Sequence, residues 1–134
     1  MTQSDETPRR PQDPRGKFPA PPFDAQPQSW PGLAGEMVPR PDHGENSYKG
    51  SGKLVGRRAL ITGADSGIGR AAAIAYAREG ADVAISYLPA EEKDAQEVIE
   101  LIEREGRRAV AMPGDITDEQ WCREMVDRSV RDLG

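Results

Sequence analysis

From Lys53 onward, apolar and polar positions fall into short blocks with a regular order. Arg58–Thr62 is a brief apolar run ending at Gly63, the pattern of a strand buried on both faces. A glycine-rich turn follows, then an alanine-rich segment predicting a helix from about Gly67 to Glu79, with Gly80 at the left-handed C-cap position. Asp82–Tyr87 predicts a second strand around Val83 and Ile85. Pro89 opens a second predicted helix, about Ala90–Glu105, whose inner stripe is Ala95, Val98, Ile99 and Ile102 and whose other face is solvated Glu and Lys. Gly106 closes it, and Arg108–Met112 predicts a third strand. Thr117-Asp118-Glu119-Gln120 has capping-box form and starts a third helix, expected to bury Trp121, Cys122, Met125, Val126 and Val130. The order β-α-β-α-β-α implies right-handed crossovers and a parallel sheet. It is the N-terminal half of a Rossmann-type doubly wound α/β fold.

Residues 1–52 have no such period. They hold ten of the twelve prolines, which remove backbone donors and fix φ, so neither helices nor ladders are expected. Residues 1–25 read as a disordered leader. In residues 26–52, Trp30, Leu33, Met37, Val38 and Tyr48 are spaced like anchors of an extended arm lying on its own domain or on a neighbouring subunit. The predicted division is therefore an irregular Pro-rich arm, 1–52, and half a dinucleotide-binding domain, 53–134.

Composition narrows the function. The chain of 134 residues has a net charge of −5, with 31% charged residues, one His and one Cys. A pI near 5.0 argues against a general nucleic-acid binder. One His and one Cys cannot build a structural zinc site or a disulfide framework, so no metal is assigned. No apolar run reaches 18 residues, and no secretory signal opens the chain. A cytoplasmic protein with no membrane partner is expected.

The chemistry lies in Thr62-Gly63-Ala64-Asp65-Ser66-Gly67-Ile68-Gly69. Gly63 permits a tight turn, Gly67 leaves room for a phosphate, and Gly69 permits close helix–strand packing. The following helix aims its free N–H groups and positive dipole end at the same place. Ser66 or Asp65 has the alternative role of helix cap. A Walker A loop is rejected, because Arg70 and Ala71 follow Gly69 where Lys and Ser/Thr are required.

Thr-Gly-x-x-x-Gly-Ile-Gly resembles the cofactor loop of the short-chain dehydrogenase/reductase family. With Tyr48-Lys49-Gly50-Ser51-Gly52-Lys53-Leu54 and Ala59 to Ala71, the chain from about Gln28 to Gly134 resembles the bacterial general-stress-protein branch, whose members carry a Pro-rich N-terminal extension. The resemblance implies an oxidoreductase parent using NAD or NADP on a small alcohol or carbonyl substrate, in a homo-oligomer. It implies cofactor contacts at Gly63, Asp65, Ser66, Gly67, Ile68 and Gly69, at Tyr87, and at Asp115 and Ile116. Asp115 matches the position that contacts the adenine ring; its alternative role is to brace the third helix.

An acidic residue at the end of the second strand selects NAD. Tyr87 stands there, so the reading leans slightly to NADP, with Ser86 and Tyr87 available to a phosphate and Lys93 or Arg70 available as charge.

The family reaction needs a tyrosine with a lysine four residues later, plus a serine and an asparagine. Tyr48, Tyr76 and Tyr87 are followed at that spacing by Gly52, Gly80 and Glu91, and Asn46 is the sole asparagine. His43 lies in the arm, Cys122 on an expected buried stripe, and Glu97, Glu100, Glu103 and Glu105 on a surface helix. No catalytic residue is assigned. The chain therefore reads as the cofactor-binding part of a longer enzyme, inactive alone, with a bare edge on its first strand. The alternatives are an inert nucleotide-binding module and a stress-associated interaction protein acting through its arm.

Overall fold

A computed structural model describes Pro11 and residues 13–134. The leader expected over 1–25 lies partly outside these residues. Within it, Pro14–Gly16 forms a single 3-10 turn and every described side chain up to residue 25 is exposed.

The element order is β1 (Arg58–Thr62), α1 (Gly67–Arg78), β2 (Asp82–Tyr87), α2 (Glu92–Arg104), β3 (Ala109–Pro113) and α3 (Glu119–Leu133). The three strands form one parallel sheet in the order β1-β2-β3, with Ile61 opposite Ile85 and Ala84 opposite Val110. Every residue of the central strand β2 is buried, as the middle strand of a parallel sheet covered on both faces must be.

The alternation along β2 sorts the core into two layers. Val83, Ile85 and Tyr87 pack with Ala73 and Ala77 of α1 and Ala95, Val98 and Ile102 of α2. Ala84 packs on the other face with Met112, Met125 and Leu133, under α3. The alanines of α1 keep that helix close to the sheet and so fix the height of the glycine loop above it. Full burial of a side chain such as Ile102 stabilises the fold by roughly 1.5–3 kcal/mol relative to leaving it exposed.

Three local expectations are corrected. Pro89–Glu91 is a separate 3-10 turn, so α2 starts at Glu92. β3 begins at Ala109: Arg108 still gives its carbonyl to the Val83 N–H at 2.9 Å, but its own N–H is taken by a side chain. Its backbone N–H and Nε donate to Asp82 at 3.0 Å each, and its Nη atoms donate to the carbonyls of Asp132 and Leu133 at the end of α3. The N-cap of α3 is Asp118 and not Thr117. Asp118 accepts from the N–H of Gln120 and of Trp121, while the Thr117 hydroxyl is already bonded to Asp115.

The stripe on α3 is also corrected. Met125, Ser129 and Leu133 are buried at i, i+4, i+8 spacing, and Trp121 and Cys122 are half-buried. Val126 and Val130 remain 50% and 64% exposed. The helix is rotated towards Ser129, whose hydroxyl is satisfied within the helix by the Met125 carbonyl at 2.7 Å.

The arm lies on α1 and α2 of its own chain, held largely by charge: of the anticipated apolar anchors, Trp30 and Val38 are exposed, Leu33 is half-buried and Tyr48 is tied down through its hydroxyl. Asp94, buried in α2, accepts the backbone N–H of Ala34 at 2.6 Å and of Gly35 at 3.1 Å. Arg70 of α1 reaches Glu45 and Glu97. Arg78 donates to the carbonyls of Gly44, Glu45 and Tyr48. Glu79 accepts from the N–H of Ser51 and of Lys53 and from the Tyr48 hydroxyl.

Candidate functional site

The carboxyl ends of three parallel strands converge with the start of α1, the place where open α/β sheets bind ligands. The turn from β1 to α1 is held to the sheet by Ala64 N–H donating to the Ser86 carbonyl at 3.2 Å. Gly63 and Gly67 have left-handed φ values of +60° and +54°, and a Cβ on either would meet open space. Gly69 differs: a Cβ there would lie 2.2 Å from the Gly63 carbonyl oxygen, so helix and loop touch only because the side chain is missing. The result is a loop braced on one side and bare on the other. The first N–H groups of α1 lack helical acceptors, as in any helix start, and the dipole end adds positive potential.

A cavity of about 320 Å³ opens beside this turn, lined by Gly63, Ser86, Tyr87, Leu88, Glu91, Gly114, Asp115, Ile116, Thr117 and Trp30. Its floor is fixed by Gly114 N–H donating to the Tyr87 carbonyl at 2.9 Å. A second cavity of about 450 Å³ lies between the arm and the loop and includes His43, Ser66, Gly67 and Glu91.

The structure thus brings Gly63, Tyr87, Asp115 and Ile116 together in one cavity and Ser66 and Gly67 in the next. Ile68, 92% exposed, points away from the core at the first turn of α1. Asp65 is buried, and its Oδ2 has no hydrogen-bond partner. Ser66 occupies the N-cap position of α1, but no side-chain bond caps the helix, so the capping role expected for Ser66 or Asp65 is not seen. Asp115 braces its own loop: Oδ1 accepts the Thr117 N–H at 2.9 Å and its hydroxyl at 2.8 Å, which holds the carboxyl below its ordinary range.

Three of the groups offered for a phosphate are engaged elsewhere. The Tyr87 hydroxyl donates to Glu92 at 2.8 Å, and burial together with that carboxylate pushes the phenol above its usual range. Arg70 is buried, with Nε 3.0 Å from Glu45 and Nη2 3.0 Å from Glu97. Lys93 faces Glu36 at 3.7 Å. Ser86 remains: the residue lines the cavity, and its hydroxyl is buried beneath the surface without a hydrogen-bond partner. Glu97 and Glu105 are likewise not simply solvated, since Glu97 holds Arg70 and Arg40 and Glu105 holds Arg78.

Sequence reasoning missed Glu91, Leu88 and Thr117 in the cavity wall, and it gave Trp30 a packing role. Burial raises the Glu91 carboxyl above its ordinary range, and the Asp65 and Asp94 carboxylates add to that. Only its place two residues after Pro89, at the foot of the β2–α2 turn, hinted at this position.

A sequence model described as short chain dehydrogenase matches residues 57–134. The chain belongs to the short chain dehydrogenase family. Among its relatives, the uncharacterized oxidoreductase YhxD of Bacillus subtilis is 66% identical over 112 residues, which are 84% of this chain and 38% of that protein. General stress protein 39 of the same organism is 49% identical, over 82% of this chain and 38% of the relative. The chain therefore spans about two fifths of the length of these curated relatives. A short chain dehydrogenase from Burkholderia cenocepacia, solved in complex with NADP, is 46% identical with a TM-score of 0.56 over 61% of this chain and 33% of that one. One from Mycobacterium paratuberculosis, bound to NAD, is 40% identical with a TM-score of 0.57 over 62% and 35%. The Rossmann-type sheet is common to the family, and the oxidoreductase names of the relatives agree with the reading of the glycine loop. Among the described residues, no helix is long and apolar enough to cross a membrane.

Proposed function

We propose that residues 53–134 are the dinucleotide-binding half of an NAD(P)-dependent oxidoreductase, and that residues 1–52 are an arm packed against it. In the longer parent the reaction would be hydride transfer between nicotinamide and a small alcohol or carbonyl substrate, in a cytoplasmic homo-oligomer. The single observation carrying this reading is the bare glycine turn beside a cavity lined by Tyr87, Leu88, Asp115 and Ile116 at the carboxyl ends of the strands.

The residues present fit the group. Gly63 and Gly67 leave backbone N–H groups open to a pyrophosphate, and Gly69 keeps α1 close enough to add its dipole. Ser86, Leu88 and Ile116 would line the adenosine end, with Asp115 and Tyr87 at its margins. Asp65 and Ser66 complete the loop, and Ile68 would cover the pyrophosphate's outer side. The bound dinucleotide would accept the hydride from an alcohol, or donate it to a carbonyl. This chain's own residues bind and orient it, since none of its tyrosines has a lysine four positions on. The chain by itself is accordingly a binding module without turnover.

The end of β2 carries no carboxylate against a 2′-phosphate, which favours NADP. Among the described residues no arginine lines the cavity to reinforce it, and Glu91 opposes it, so the preference is small. Titration with NADPH, followed by nicotinamide fluorescence, tests the proposal alongside an alcohol-oxidation assay. Saturable binding with no turnover supports it; absence of binding overturns it.

A further inference from the structure

We propose that Trp30 forms one wall of the adenosine pocket and stacks on the adenine ring, an aromatic surface supplied by the arm and not by the Rossmann fold. The inference rests on the cofactor reading above and deepens it.

The geometry behind it begins with two reciprocal amide clamps. Gln28 donates Nε2 to the Leu33 carbonyl at 3.0 Å and accepts the Leu33 N–H at 2.7 Å. Gln26 does the same across Val38, at 2.6 and 2.7 Å. Each side chain satisfies both backbone groups of one residue across the loop, so 26–38 is a closed loop with Trp30 near its tip. Asp94 then fastens that loop to α2 through Ala34 and Gly35. A Cβ on Gly35 would lie 2.7 Å from Asp94 Oδ1, so the contact is close.

Trp30, carried by this clamped loop, is left 83% exposed, yet it borders the cavity formed by Ser86–Leu88 and Gly114–Thr117. Its indole thus offers a large apolar face at the cavity with no packing of its own to give up. Leu88 and Ile116, also apolar, line the same cavity. A flat aromatic side chain and aliphatic side chains around one cavity fit a planar heterocycle.

Position decides which end of the dinucleotide this is. The cavity lies at the ends of β2 and β3, on the side of the glycine turn away from the free edge of β1. A pyrophosphate on the turn directs its adenosine half over β2 and its nicotinamide half towards β1.

The full chain is titrated with AMP, nicotinamide mononucleotide and NADP, with tryptophan fluorescence as one readout and calorimetry as the other. AMP is expected to quench fluorescence in the unaltered chain and not in Trp30→Ala. That variant is expected to bind AMP and NADP about tenfold more weakly, within the range for loss of one base–aromatic stack. Trp30→Phe should keep most of the affinity, and nicotinamide mononucleotide should bind both variants as it binds the unaltered chain. Unchanged AMP affinity in Trp30→Ala overturns the proposal. So does a changed association state with unchanged affinity, which would make Trp30 a contact to a second copy. If Gly67→Val abolishes NADP binding and Trp30→Ala does not alter it, only this proposal fails. If the unaltered chain binds none of the three ligands, the cofactor reading fails as well.

Discussion

Arg70 Nε and Glu45 Oε1 meet at 3.0 Å, joining the helix that starts at the glycine loop to an arm residue 25 positions earlier. The guanidinium is nearly inaccessible, and its Nη2 also holds Glu97 of α2. Arg70 thus ties three segments together behind the cofactor turn. It is unavailable to a phosphate, although its sequence position suggested that use.

Removal of the guanidinium leaves Glu45 with only the neighbouring His43 and Glu97 with only the half-exposed Arg40 as partners. Arg70→Ala is expected to cost about 2–4 kcal/mol, the loss of one partner from a largely buried pair, reduced for the partial exposure of Glu97. Urea denaturation of the full chain measures it. A loss below about 0.5 kcal/mol, the size of a surface substitution, would count against the clasp.

Acid should release the arm before the sheet melts. Burial opposes ionisation of Glu45, but the backbone N–H groups of Glu45 and His43, the His43 ring and Arg70 outweigh it and bring the carboxyl down to about 2. The Tyr48 hydroxyl and the N–H groups of Lys53 and Ser51 bring Glu79 to about 2. A depressed folded-state value adds stability that is fully present above the unfolded value of about 4.5 and is lost as pH falls towards 2. Protease cleavage within residues 40–52 should therefore accelerate through that window. Cleavage that begins only with global unfolding would contradict this.

The rotated face of α3 has its own test. Met125→Ala is expected to cost about 2–4 kcal/mol, because Met125 closes the layer under Ala84 and Met112. Val130→Ala should change stability by less than about 0.5 kcal/mol, because Val130 is exposed in this chain. Thermal unfolding separates the two. Equal losses would restore the stripe expected from the sequence.

Glu91 should tune the cofactor's 2′ position. Its raised carboxyl takes up a proton earlier than an ordinary glutamate as pH falls, which removes a negative charge from the cavity wall. The ratio of NADP to NAD affinity should rise as pH is lowered, beginning at a higher pH than an ordinary glutamate would give, since the carboxylate's repulsion fades. Glu91→Gln should raise the ratio at pH 7 by about fivefold and flatten its pH dependence. A ratio that ignores both changes would place the 2′ end elsewhere.

The sheet and its loop were legible because their causes are local. β1 and β2 are continuous apolar runs, and α2 repeats Ala95, Val98 and Ile102 at helical spacing. Boundaries moved where a side chain outcompeted the pattern, as Asp118 did for Thr117 and Asp82 did by taking the Arg108 N–H. The arm was misread for a related reason. Its fastenings are Asp94, Arg70, Arg78 and Glu79, charged residues on helices, which in sequence look the same as solvated surface. The site was legible as a glycine turn. Tyr87, Asp115 and Ile116 were named from the family resemblance, but Trp30, Leu88, Glu91 and Thr117 were not, because they meet only when the arm, the β2–α2 turn and the β3–α3 loop fold together.

Calorimetric titration of NADP and NAD into the full chain, unaltered and as Gly67→Val, addresses the central claim most directly. Gly67 has a φ of +54° and no neighbour where a Cβ would sit, so valine would both strain the turn and occupy the space left for the phosphates. The account predicts saturable binding of one dinucleotide per chain, weakened at least tenfold in Gly67→Val with the fold intact by circular dichroism. Equal binding by both chains, or none by the unaltered chain, would contradict it.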